Sequence, residues 1–217
     1  MAKLSEEQEL ARQRAMLETE DRLHVDGYRY VAGVDEAGRG PLAGPVYAAA
    51  VILPENVRLD GINDSKKLSP KKRDELFDKI KEIAVAYSVC AIDEKIIDEV
   101  NILNATYMAM NCAVDDLAVR PDYVVIDGNG IKGMTFPHET IVKGDAKSMS
   151  IAAASILAKV SRDRYIVKIA EEYPEYGFEK HKGYGTKAHT DAILKYGLCP
   201  IHRRTFLKKL LGRESES

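Results

Sequence analysis

VAGVDEAGRGPLAGPVYAAAVIL, residues 31–53, holds two apolar runs of β character separated by a turn rich in Gly and Pro. Runs joined this tightly read as an antiparallel hairpin. The first run stops on two adjacent acids, Asp35 and Glu36, which is an odd place for a buried-looking strand to put two charges. On a straight strand they face opposite sides, so both address one point only if the chain turns at Ala37 and Gly38, which glycine permits. Neither a cap nor a turn requires two acids there.

Working outward from the hairpin, residues 4–23 carry Leu4, Leu10, Met16, Leu17 and Leu23 among Glu, Gln and Arg and predict an amphipathic helix, taken as an appendage. SPKKRDELFDKIKEI predicts a helix capped by Ser69, with Pro70 in its first turn and Leu76, Phe77, Ile80 and Ile83 as its apolar face. AYSVCAID reads as a strand. A helical pattern runs from Asp93 to Ala118 with Leu103, Met108, Cys112 and Leu117 as a plausible core stripe. YVVID, residues 123–127, is a short buried strand, and HETIVKG is a weak one. A long helix spans 147–172, and shorter helices are expected at 187–196 and 203–211. This order implies an α/β layer architecture with a mixed sheet, an antiparallel hairpin followed by parallel crossovers. Functional groups in such sheets gather where strands end.

Four acids stand at such places. Asp35 and Glu36 end the first strand, Asp127 ends YVVID, and Asp145 precedes the long helix. Alone, Asp145 serves equally well as a helix cap and Asp127 as a turn residue before GNG. Together, carboxylates converging on one point repel each other unless a cation sits between them, and an all-oxygen donor set favours magnesium or manganese over zinc. GNGIKG, residues 128–133, matches the glycine pattern of a dinucleotide site, but no helical stripe follows and Pro137 intervenes, so that reading is set aside.

Composition limits the alternatives. With 217 residues and 45% hydrophobic content, the chain can bury a sizeable core, which excludes a disordered protein. No apolar run is long enough to span a bilayer, and the chain reads as cytosolic. Cys90, Cys112 and Cys199 lie far apart with no C-x-x-C spacing, so reduced thiols are expected. The net charge of -2 announces no polyanion partner, yet residues 180–213 hold nine Lys/Arg against one acid, Asp191, and DSKKLSPKKR is a second basic cluster. Such runs are often merely solvated faces.

DEAGRGPLAGP, DSKKLS, YVVIDGN, KGDAKSMSIAAASILAKVSRD and HKGYGTKAH, in that order, resemble bacterial ribonuclease HII over residues 28–206. The resemblance implies an RNase H-like mixed five-stranded sheet flanked by helices, with an amino-terminal helical appendage at 1–26 and a catalytic domain at 27–217 that includes the carboxyl-terminal helices. It implies a cytoplasmic, monomeric endonuclease with no membrane partner, cutting the RNA strand of RNA/DNA hybrids and single ribonucleotides embedded in duplex DNA. The products would carry a 3'-hydroxyl and a 5'-phosphate. The family's metal-binding and catalytic acids carry onto Asp35, Glu36, Asp127 and Asp145, holding Mn2+ or Mg2+, two per active site. Its substrate-binding GRG element carries onto Gly38, Arg39 and Gly40, and its junction-sensing tyrosine onto Tyr184. Lys66, Lys67, Lys180, His181 and Lys182 would then be phosphate contacts.

The chemistry of those residue types fits independently. In-line phosphodiester hydrolysis requires an activated water and a neutralised leaving oxygen, which two divalent ions about 4 Å apart supply. Glycines let backbone groups approach a sugar closely, and the 2'-hydroxyl is what distinguishes RNA from DNA. Asp163 is the rival fourth ligand, but it lies eighteen residues beyond Asp145, about 27 Å along a helix, so the two cannot serve one site; Asp163 is expected to pair with Arg162, Arg164 or another neighbour. Two other readings are a magnesium-dependent phosphohydrolase or resolvase-type nuclease, and a non-catalytic nucleic-acid-binding module. The latter has no need of four acids near a bound phosphate.

Overall fold

The hairpin forms as the sequence predicts. In the computed structural model, which describes residues 5–62, 65 and 68–212, β1 (Val31–Ala37) pairs antiparallel with β2 (Val46–Ile52). Leu4, Lys66 and Lys67 lie outside the described residues. β3 (Ala86–Ile92) adds antiparallel to β2, whereas β4 (Tyr123–Asp127) and β5 (His138–Ile141) run parallel to β1, giving the order β3-β2-β1-β4-β5. The parallel crossovers therefore begin only at β4. The helix joining β2 to β3 returns the chain antiparallel, a direction that apolar periodicity does not encode.

β2 shows how both faces of this sheet are used. Ala49 and Val51 join one core cluster, and Ala48, Ala50 and Ile52 join the other, as a two-residue period requires. The first cluster lies under α1 (Glu6–Val25), α2 (Pro70–Ile83) and α4 (Met149–Ala170). The second lies under α3 (Glu94–Asp115). Alanines on both sides let the helices sit close, and the tightest approach is at Gly33, where a Cβ would fall 2.1 Å from the Ser150 carbonyl carbon on α4. A short α5 (Phe178–His181), α6 (Lys187–Tyr196) and α7 (Arg204–Leu211) surround a third cluster centred on Phe178 and Ile193.

α1 begins with a capping box from Ser5 and Gln8 and buries Met16 and Leu23 against the domain. Glu20 on the same face reaches the start of α4, where its Oε1 accepts from the Ser148 hydroxyl (2.6 Å) and the Ser150 amide (3.0 Å). The helix expected at 1–26 as an appendage thus supplies a carboxylate to an orphan amide of α4.

Two expectations need correction. Of the stripe expected along α3 and just beyond it, Leu117 is buried and Cys112 half-buried, but Leu103 and Met108 are each 43% exposed, and Ile97, Ala105, Ala109, Met110, Ala113 and Val114 form the buried face. Asn101 breaks the helix upstream, its backbone leaving helical geometry (φ 69°, ψ 163°) while its side chain caps the amides of Leu103 and Asn104; beyond it the expected positions, spaced five, four and five residues apart, drift off a 3.6-residue period, whereas Ala105, Ala109 and Ala113 keep one face. The reduced-thiol expectation fails at Cys90 of β3 and Cys112 of α3, which form a disulfide with Cα atoms 6.0 Å apart. Cys199 stays free and buried. Packing of α3 on β3 brings together two cysteines whose spacing carries no motif. Among the described residues no helix is long and apolar enough to cross a membrane.

Candidate active site

Strand register brings the first two acids together. Val34 of β1 lies beside Ile126 of β4 in the parallel ladder, so Asp35 and Asp127 are the next residues on neighbouring strands. They leave the sheet on the same face, toward α4, one strand spacing of about 4.8 Å apart. Asp35 is buried. Burial pushes its carboxyl well above the ordinary carboxylate range, and the charges of Glu36 and Asp127 push it the same way, while a hydrogen bond from Ser155 and the Glu36 amide oppose them. Ser155 is in turn 3.0 Å from the Ser65 hydroxyl.

Glu36 departs from the expected turn. β1 continues straight to Ala37, so Glu36 faces the α3 side and the chain bends only at Gly38 (φ +99°). Where the strands end, Glu36 and Asp127 nevertheless line one cleft of about 290 Å³ with Thr106, Tyr107 and Gly128. Arg39 lies 3.5 Å from the Glu36 carboxylate.

Asp145 sits on the one-turn helix Gly144–Ala146 at the foot of α4. The preceding Gly144 amide donates to Asp127 Oδ1 at 2.6 Å, which ties this turn to the end of β4. A side chain at 144 would crowd that contact, since its Cβ would lie 3.3 Å from the same oxygen and 2.6 Å from Ile151. Asp163 belongs elsewhere. Its partner is Lys159, at 2.8 Å, and neither of the arginines beside it. No three of the four acids place oxygens within 4.8 Å of one another; among the described residues only Cys90, Cys112 and Asp116 do so, and those sulfurs are bonded to each other.

Beyond β1 the loop of residues 38–45 lies against Tyr184. A Cβ on Gly40 would sit 3.7 Å from the Tyr184 ring, which is 44% exposed and has Lys159 Nζ 5.9 Å from its centroid. The Leu42 amide donates to the Gly183 carbonyl at 2.8 Å. Tyr184 is held from beneath by histidines. Its carbonyl can only accept, so His189 donates from Nδ1 (2.9 Å) and presents a bare Nε2. His202 Nε2 therefore carries the proton between the rings (3.1 Å), and its Nδ1 accepts from the Cys199 amide (2.9 Å). Burial holds both imidazoles down to about 4.

The lysines of the basic run line a second, wider cleft of about 640 Å³. Lys180 and Lys182 border it with Arg73, Lys159, Arg164 and Asp163. His181 is turned inward: one nitrogen bonds the Tyr176 carbonyl (2.9 Å), the other accepts from the Gly183 amide (3.2 Å), and the ring stacks on His189. Of the flanking lysines, Lys180 faces solvent, whereas Lys182 is half-buried and its ammonium donates to the Glu179 carbonyl.

The family model for Ribonuclease HII matches residues 32–209. Ribonuclease HII of Caldicellulosiruptor bescii is 57% identical over 195 residues, spanning 90% of this chain and 95% of that protein. The chain belongs to the ribonuclease HII family. Ribonuclease HII of Endomicrobium trichonymphae is 60% identical over 181 residues, covering 83% of this chain and 86% of its own. The crystal structure of ribonuclease H2 from Pyrococcus horikoshii superposes with a TM-score of 0.70 at 32% identity, over 81% of this chain and 93% of that one. As a ribonuclease HII it is a metal-dependent nuclease of the ribonuclease H class, and the mixed five-stranded sheet is the family fold.

Three residues around the site escaped the sequence reading. Ser155 looks like any small residue of a helix, and Arg162 and Arg203 look like members of solvated basic runs. Both arginines are instead buried. No local signal separates them from exposed neighbours such as Arg204.

Proposed function

We propose that this ribonuclease HII cleaves the RNA strand of RNA/DNA hybrids and also cuts at single ribonucleotides within duplex DNA, leaving a 3'-hydroxyl and a 5'-phosphate. The observation that carries the reading is the pairing of Asp35 with Asp127 on adjacent strand ends, with Asp35 buried and Glu36 next to it. Such a group is unfavourable by itself and becomes favourable around a hard cation.

Asp35, Glu36, Asp127 and Asp145 would hold the divalent ions, Mg2+ or Mn2+ and two in number. No imidazole or thiolate belongs to this set, which suits oxygen-seeking metals. When bound, the ions activate a water and neutralise charge on the leaving oxygen. The chain's own residues do the rest. Ser155 orients Asp35, and the Gly144 amide fixes Asp127. Gly38, Arg39 and Gly40 bring backbone close to the sugar, and Tyr184 beside Gly40 lays its ring against the next one. Lys180 and Lys182, with Lys66 and Lys67, neutralise backbone phosphates. The protein acts in the cytoplasm as a monomer.

The test is cleavage of all-DNA, all-RNA, hybrid and single-ribonucleotide duplexes of one sequence, mapped to the nucleotide, with magnesium and with manganese. Cutting confined to the hybrid and the single-ribonucleotide duplex supports the reading; cutting of the all-DNA duplex refutes it. Tyr184→Ala should impair cutting at the lone ribonucleotide more than in the continuous hybrid, and equal losses would remove the junction-sensing role.

A further inference from the structure

Arg162 of α4 and Arg203, just before α7, are among the most deeply buried side chains in the molecule, and neither makes an ion pair within the described residues. Their guanidiniums bond backbone carbonyls instead. Arg203 donates to Gly38 (2.7 Å), Arg39 (3.0 Å) and Gly44 (2.8 Å). Arg162 donates to Ala43 (3.0 Å), Pro45 (3.1 Å) and Lys182 (3.1 Å). Five of these six carbonyls belong to the loop of residues 38–45, and the sixth leads into Gly183 and Tyr184.

Burying two cations with no carboxylate in salt-bridge contact is costly; Arg203 comes down to about 9, chiefly from burial and then from Arg162, with Glu94 and Asp98 opposing. A fold that needed only a plug here could use an apolar side chain. What two planar forks add is geometry. In a trans peptide the C=O and the following N–H point in opposite directions. Arg203 pulls the Gly38 and Arg39 carbonyls inward, so the Arg39 and Gly40 amides face outward. Neither amide has a hydrogen-bond partner among the described residues, and both residues are exposed beside Tyr184. The glycines fit the same clasp: a Cβ at Gly38 would meet Arg162 Nε at 2.1 Å, and one at Gly183 would meet the Ala43 carbonyl oxygen at 2.7 Å.

We infer that Arg162 and Arg203 are positioning residues that set the outward amides of Arg39 and Gly40 against the substrate's 2'-hydroxyl and lock that loop to the one bearing Tyr184, and so determine ribose specificity without touching the substrate. This rests on the ribonucleotide-directed activity proposed above. The role predicts a separation of two quantities. Affinity for phosphates comes from lysines elsewhere and stays put, whereas ribose recognition falls.

The experiment compares full-length wild type, Arg203→Lys and Arg203→Gln. It measures kcat and KM on a DNA duplex with one ribonucleotide, the inhibition constant of the same duplex made entirely of DNA, and thermal unfolding. Both variants should lose at least about tenfold in kcat/KM on the ribonucleotide duplex, with the all-DNA inhibition constant unchanged. Lysine keeps the charge but cannot span three carbonyls, so it should not rescue. A folded Arg203→Lys with wild-type kcat/KM, or proportional losses on both duplexes, overturns the inference. If the Arg203 variants do not fold, Gly38→Ala displaces the clasp from the loop side with both arginines intact. It must show the same separation, and wild-type behaviour there overturns the role equally. Wild-type protein that ignores the ribonucleotide refutes the substrate reading itself, and this role with it.

Discussion

Asp35 concentrates the residue-scale argument. Its burial beside two other carboxylates makes its charge a liability to the metal-free fold, so Asp35→Asn should leave thermal stability in EDTA at pH 7 undiminished. The same change removes an oxygen ligand. Even residues that only support a ligand cost 10–100-fold when lost, so activity should fall by at least about 100-fold. Loss of activity accompanied by unfolding, or wild-type turnover, would each contradict the assignment. The histidines make a different prediction. His189 and His202 are neutral in the fold at about 4, below their ordinary value of 6.5. The unfolded chain thus binds more protons across that interval, and stability falls as pH drops from 6.5 toward 4. Above 6.5 their contribution is constant. Because a proton on either ring places two N–H groups face to face, urea midpoints should decline through that window, and His189→Phe, which has no proton to take up, should flatten the decline.

At the scale of elements, legibility followed locality. The hairpin, α2 with its Ser69 cap, α4 and α6 were readable because their caps and periods are written within one segment. Asp35, Glu36 and Asp127 were readable because acids at strand ends are conspicuous. What stayed hidden depends on partners distant in the chain. Glu20 meets α4 across more than a hundred residues. Arg162 and Arg203 find carbonyls more than a hundred residues away. The Cys90–Cys112 bond belongs to the same class, since only the packing of α3 on β3 creates it. It closes a loop with a sequence separation of 22, for which chain entropy assigns about 3 kcal/mol. Reduction, or Cys112→Ser, should therefore lower the melting temperature by about 6–12 °C. α3 also walls the cleft shared by Glu36 and Asp127 through Thr106 and Tyr107, so loosening it should slow cleavage before the protein unfolds. An unchanged melting temperature in reductant would show that this bond does not stabilise the native chain.

Across the whole molecule, a net charge of -2 hides a division of labour. Acids crowd the ends of the inner strands β1 and β4, while Lys159, Arg164, Lys180 and Lys182 border the neighbouring cleft. A phosphate chain approaching the carboxylates is repelled unless cations screen them, so orientation must come from the lysines, and affinity must depend on salt. Each phosphate neutralised by a lysine contributes about 0.9 to the slope of log K against log salt. Lys180 is the more exposed of the pair and holds only a loose ion pair with Glu179, at 3.9 Å. Replacing Lys180 and Lys182 together by Gln should reduce the slope by about 2, and should weaken hybrid and all-DNA duplexes alike, because phosphates carry no sugar identity. Fluorescence anisotropy in the Asp35→Asn background, which prevents cutting, measures both quantities across a salt series. A slope that does not move would place these lysines off the path of the duplex. A loss confined to the hybrid would instead make them part of sugar recognition, in conflict with their position on the wider cleft.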